Sequence, residues 1–101
     1  MKIVAVTACP TGIAHTYMAA DALIKEAKNR GINIRVETQG AMGIEDRLTV
    51  HEIVAADCAL IVSDIEIEQY ARFTDSKVIQ VDVEEVLVDA KSVIDECLKL
   101  I

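Results

Sequence analysis

A chain of 101 residues supplies one domain, because a second hydrophobic core would find too little sequence to close around. With 52% apolar residues a core is assured, while 10 Lys+Arg against 17 Asp+Glu leave a net charge of −7 that opposes broad contact with nucleic acid or anionic lipid. Two Tyr and one Phe give base-stacking platforms and flavin sandwiches few walls to use, and no apolar run approaches the ~20 residues of a membrane span.

The opening Met1 to Val6 imitates an export signal, and Val6-Thr7-Ala8-Cys9 imitates a lipoprotein cleavage box. Only Ile3 to Ala8 separate Lys2 from Cys9, short of the ~7–15 residue apolar region such signals carry, so a mature cytoplasmic chain is expected. Cys9, Cys58 and Cys97 are odd in number, widely spaced and outside any C-x-x-C pattern, which argues against zinc and structural disulfides.

In chain order, Ile3 to Val6 is a continuous β-branched run ended by Cys9-Pro10-Thr11-Gly12, the signature of a strand buried on both faces. A helix follows from Ile13, with Tyr17, Ala20, Ile24 and Ala27 as its apolar stripe, Asp21 and Lys25 as an exposed i,i+4 pair, and Lys28, Arg30 and Gly31 at its end. Ile32 to Thr38 alternates as a second strand and runs into a glycine-bearing loop, Gln39 to Gly43. Thr49-x-x-Glu52 is a capping box ahead of a short second helix. Cys58 to Val62 and Lys77 to Val81 are the third and fourth strands, with a short helix at Glu68 to Arg72 between them. Asp82 and Glu85 cap a last helix whose stripe is Val86, Ala90, Val93, Cys97 and Ile101.

Strand and helix alternate, which predicts an α/β, Rossmann-like domain: an open four-stranded parallel sheet in the order 2-1-3-4 with helices on both faces. Ligands of such sheets bind beyond the carboxyl ends of the strands, where strand order reverses. The segment after the first strand falls at that reversal and contains Cys9. The rim would also hold Gln39 and Gly40 after the second strand, Asp64 after the third and Asp82 after the fourth.

Cys9-Pro10-Thr11-Gly12-Ile13-Ala14-His15-Thr16 joins a buried strand to a helix, so its backbone N–H groups are expected to converge near the Cys9 sulfur. Free helix N–H groups and the macrodipole act like roughly half a positive charge, which stabilises a thiolate and a phosphoryl group carried on it. Pro10 shapes the turn, Gly12 permits close approach, and the Thr11 and Thr16 hydroxyls are candidate donors to phosphate oxygens or helix caps. His15 occupies the place where a Cys-x5-Arg phosphatase loop has its arginine, and no Arg lies between Lys2 and Arg30. His15 is expected either to hydrogen-bond the phosphorylated loop or to face water. Without a planar guanidinium fork, water attack on phosphocysteine is poorly assisted, which favours carriage over hydrolysis. Cys58 in an apolar strand and Cys97 on a helix stripe read as structural.

Val6-Thr7-Ala8-Cys9-Pro10-Thr11-Gly12-Ile13-Ala14-His15-Thr16 with Met18-Ala19-Ala20 resembles the active loop of the enzyme IIB component, fructose branch, of the bacterial phosphoenolpyruvate-dependent sugar phosphotransferase system. The resemblance continues through Val36 to Gly40, Leu48-Thr49, Ala56-Asp57 and Arg72-Phe73, and so makes residues 1–101 a single IIB domain, free-standing or cut from a longer IIB-IIC or IIA-IIB-IIC chain. It implies that Cys9 accepts a phosphoryl group from a phosphohistidine of enzyme IIA. The group then passes to a hexose, fructose or a relative, held by the membrane permease enzyme IIC. No metal or organic cofactor is implied, and the domain would sit at the cytoplasmic face of the membrane through enzyme IIC. Gln39, Gly40 and Asp64 are implied rim or partner contacts, whereas Ala71, in place of an acidic residue before Arg72-Phe73, departs from the family. Competing readings of the same residues are a low-molecular-weight phosphatase or arsenate-reductase-like thiol enzyme, a flavodoxin-like binding module, and a phosphate-sensing regulator.

Overall fold

A computed structural model of the chain describes residues 1–9 and 14–100. Five strands, β1 (Lys2–Ala8), β2 (Asn33–Gly40), β3 (Gly43–Glu45), β4 (Cys58–Ser63) and β5 (Val78–Val81), form one sheet in the order β3-β2-β1-β4-β5. Helices α1 (Ala14–Asn29), α2 (Val50–Ala55) and α3 (Val83–Lys99) and a 3-10 turn at Tyr70–Phe73 complete the described elements. The α/β class is as expected, but the purely parallel four-stranded sheet is corrected to a mixed five-stranded one. The added strand, β3, runs antiparallel to β2, with Gly40 opposite Gly43. The expected loop from Gln39 is therefore a hairpin: β2 continues through Gly40, and Gly43 turns the chain with φ +87, a conformation that favours glycine.

The two faces of the sheet carry separate cores because side chains alternate along each strand. Ile3, Ala5, Leu60 and Val62 face Ala19 and Leu23 of α1 and Val86, Ile94 and Cys97 of α3. On the other face, Val4, Val6 and Ile61 pack with Leu48, Ile53, Ile67 and Phe73. Both faces of β1 are covered, which is why its sequence shows no polar alternation until Thr7.

Two helix stripes need correction. In α1 the core residue is Leu23, and Ile24 is 45% exposed, since neighbouring helical positions point about 100° apart. In α3, Ile94 is buried beside Val93, and the helix is broken at Asp89 (φ −154, ψ 76). The Asp89 carboxylate accepts from Ser92 N–H at 3.1 Å and Ser92 Oγ at 2.7 Å, restarting the helix there. Ile101, assigned to that stripe, lies outside the described residues. The helix expected at Glu68 to Arg72 is instead the 3-10 turn at Tyr70–Phe73. Arg30 ties α1 to α3, meeting Glu26 at 2.7 Å and Asp95 at 2.6 Å.

The capping box of α2 is present: Thr49 Oγ1 accepts from Glu52 N–H at 3.1 Å, and Thr49 N–H donates to Glu52 Oε1 at 3.0 Å. Arg35 Nε donates to Glu52 Oε2 at 2.6 Å, and these bonds, the Arg35 contact foremost, hold the Glu52 carboxyl down at about 2. Its folded value lies below its unfolded one, so its contribution is complete above the ordinary carboxylate range and is lost as pH falls toward 2. An NMR titration should place the Glu52 midpoint near 2, and Arg35→Ala should move it upward.

Candidate functional site

Strand β1 delivers the site. Ala8 is paired with Gln39 of β2 on one side and Ser63 of β4 on the other, so Cys9 emerges at the carboxyl edge where strand order reverses. α1 begins at Ala14, and Thr7 Oγ1 pins its first turn by donating to the Thr16 carbonyl at 3.1 Å. Pro10, Thr11, Gly12 and Ile13, to which the amide cradle was assigned, lie outside the described residues. Ala14 and His15 are exposed at the start of α1, and Thr16 is buried.

Cys9 is half-buried where two grooves meet. One, about 430 Å³, lies between the β2–β3 hairpin and the segment 65–68; Gln39, Gly40, Ile65 and Glu68 are among its walls. The other, about 540 Å³, runs past His15 and Asp64 to Glu84, Leu87 and Val88 of α3. The structure thus brings Cys9 together with Gln39 and Gly40 in one groove and with His15 and Asp64 in the other. Glu84, Leu87, Val88, Glu66 and Glu68 were not anticipated, because groove walls drawn from separate elements leave no local pattern.

Among the described residues no Lys or Arg lines either groove. The Asp64 carboxyl group beside Asp82, with Glu85 and Glu84 nearby, pushes the Asp82 carboxyl upward. Asp82 also starts α3, its N–H donating to Glu85 Oε2 at 2.9 Å as expected. The nearest guanidinium in the network around Gln39 belongs to Arg72, and it is already engaged. Its two terminal nitrogens each meet an oxygen of Glu37 at 2.9 Å, and Nη1 also reaches the Leu48 carbonyl at 3.2 Å.

The other two thiols are remote from this chemistry. Cys58 and Cys97 are both buried in the α1/α3 core. The neighbouring Cys58 thiol and burial push the Cys97 thiol up, so it stays protonated at neutral pH. His51 is exposed on α2.

The buried Thr16 Oγ1 has no hydrogen-bond partner among the described residues. A buried hydroxyl without a partner costs about 1–3 kcal/mol, and Thr38 Oγ1 on β2 is in the same position. Thr16→Val should leave thermal stability unchanged or raised while weakening any phosphoryl group held at the start of α1. Melting curves of the bare and phosphorylated chains would check both halves.

A five-stranded α/β sheet presenting one thiol at its strand-order reversal, between acidic grooves, defines the class of domain. Residues 4–96 match the family model "PTS system, Lactose/Cellobiose specific IIB subunit". The chain is 41% identical over 95 residues to the "PTS system fructose-like EIIB component 2" of Escherichia coli (strain K12), covering 94% of this chain and 90% of that one. It is 52% identical over 82 residues to the "PTS system fructose-specific EIIABC component" of Bacillus subtilis (strain 168), covering 81% of this chain and 13% of that much longer one. A solved structure of a predicted fructose-specific IIB from Escherichia coli superposes with a TM-score of 0.94 at 39% identity, covering 98% of this chain and 88% of that one. The chain belongs to the IIB subunit family of the phosphotransferase system.

Proposed function

We propose that this chain is a phosphoryl carrier in sugar uptake and that Cys9 is the atom-transferring residue. The thiolate sulfur attacks the phosphorus of a phosphohistidine on enzyme IIA; the S–P bond forms as the N–P bond breaks, and the imidazole leaves. A sugar hydroxyl held by enzyme IIC then attacks the same phosphorus. The S–P bond breaks, the thiolate returns, and the hydroxyl proton goes to a base on the permease. Such steps ask for in-line positioning and charge stabilisation rather than proton transfer at sulfur. Backbone donors of Pro10 to Thr16, with Pro10 serving only to shape the turn, would hold the phosphoryl oxygens; Thr16 and His15 are the side chains assigned to assist.

The observation that carries this reading is the position of Cys9 where two grooves meet at the strand-order reversal, in a chain of the IIB family. Grooves lined by no Lys or Arg among the described residues favour handing the group on over hydrolysing it, which counts against the phosphatase reading. Relatives named fructose-like and fructose-specific point to fructose or a related hexose. Residues 1–101 are assigned as one IIB domain acting at the cytoplasmic face of the membrane through enzyme IIC; among the described residues, no helix is long and apolar enough to cross a membrane. The test is to incubate the chain with phosphorylated enzyme IIA and weigh it intact. One added phosphoryl group is expected; no addition, or addition that survives loss of the Cys9 thiol, overturns the assignment.

A further inference from the structure

The segment between β4 and the 3-10 turn forms one whole wall of the groove beside Cys9, yet it has little regular structure of its own. Its start is a local turn in which Ser63 Oγ accepts from Ile65 N–H at 3.0 Å. Its end passes through Gln69, whose φ of 60 is costly for a residue with a side chain, and Arg72 Nε holds the Gln69 carbonyl at 3.0 Å. Between these points the polar link to the sheet is Gln39. Its Oε1 accepts from Glu68 N–H at 2.8 Å, and its Nε2 donates to the Glu68 carbonyl at 3.1 Å, so the amide pairs with Glu68 as a neighbouring strand would.

The amide is itself held in orientation. Nε2 also donates to Glu37 Oε2 at 2.8 Å, and Glu37, two positions earlier on the same sheet face, is gripped through both oxygens by Arg72. A continuous chain of hydrogen bonds therefore runs from Arg72 through Glu37 to Gln39, charge-assisted at Glu37, and on to the backbone of Glu68 through neutral amide bonds. Gln39 is opposite Ala8 in the β1–β2 register, so this chain passes beside the residue that precedes Cys9.

We propose that Gln39 is a positioning residue for phosphoryl transfer: by tethering Glu68 it fixes the wall of the groove against which the partner's phosphorus approaches the Cys9 sulfur. Its amide is spent inside the domain rather than offered to a partner. The proposal rests on Cys9 being the phosphoryl acceptor. It differs from a stabilising role because the sheet stays intact when the tether is cut, and only the line of approach loosens. A displacement near 1 Å can cost about a hundredfold in rate.

The experiment compares the wild-type 101-residue chain with Gln39→Met, which fills similar volume without hydrogen bonds, and Gln39→Ala. Hydrogen exchange is measured alongside the rate of phosphorylation by phosphorylated enzyme IIA at varied donor concentration. In both variants the Glu68 amide should lose protection while β1 and β4 keep theirs. The maximal rate should fall about tenfold or more, with the half-saturating donor concentration changed less than about threefold. A wild-type maximal rate with an unprotected Glu68 amide overturns the proposal. So does a slowed rate with that amide still protected, or a change confined to half-saturation, which would mark Gln39 as a partner contact. Failure of the wild-type chain to accept a phosphoryl group would bring down the carrier assignment itself and is recognised by that.

Discussion

A Cys9→Ser chain should gain no phosphoryl group from phosphorylated enzyme IIA under conditions that fully label the wild type, while Cys58→Ser and Cys97→Ser are labelled normally. The contrast follows from position as much as chemistry. A serine hydroxyl is essentially un-ionised near neutral pH, whereas even an unperturbed thiol is a few per cent thiolate and far more nucleophilic. Cys9 is half-buried at the sheet edge, so the exchange should shift stability by no more than about 1 kcal/mol. Cys58 and Cys97 are sealed in the core, where a hydroxyl in place of a thiol costs about 1–3 kcal/mol. Intact mass reads the labelling and thermal denaturation the stability; labelling of Cys9→Ser, or its loss in either core variant while folded, contradicts the assignment.

Arg72→Ala should be the most destabilising single change outside the apolar core. Glu37 is 0% exposed and its carboxylate accepts from Arg72, Gln39 and Leu48. Burial alone would push its carboxyl up, but Arg72, the Gln39 amide and the Leu48 N–H together hold it below the usual range. Removing the guanidinium strands a buried anion, at a cost of about 3–5 kcal/mol, or roughly 15–25 °C in Tm for a domain of this size. The pH dependence should reverse with it. In the wild type the folded value lies below the unfolded one, so the contribution of Glu37 is complete above the unfolded value and fades as pH falls through the folded one. In the variant burial raises the folded value above the unfolded one, so mild acid favours the native state. Relative to wild type, the Tm of Arg72→Ala should rise between pH 7 and pH 5, and the double variant Glu37→Leu/Arg72→Met should recover part of the loss.

These two sites differ in how far the sequence reveals them. The thiol at the strand-to-helix junction was legible because everything that defines it is local: an apolar run, a turn, then a helix. The Thr49-x-x-Glu52 cap was legible for the same reason. The Glu37–Arg72 pair spans 35 residues and has no periodic signature. Strand β3, at three residues, is too short to show a period of two. In α1 the choice between Leu23 and Ile24 turned on where the helical phase begins, and that origin lies at the loop rather than in the stripe. The break at Asp89 depended on a side chain competing with the backbone for Ser92, which an apolar stripe does not record.

The hairpin pairs β3 only with Thr38, Gln39 and Gly40, so the amino-terminal half of β2 remains an open margin of the sheet. Half-exposed Arg35, clasped to Glu52, stands on that margin. A like margin of another molecule would have to bury that guanidinium and its carboxylate to add on edgewise, a penalty that disfavours runaway stacking of copies. A short ribbon at one end and a charge at the other keep a carrier that must meet other proteins from adhering to its own kind.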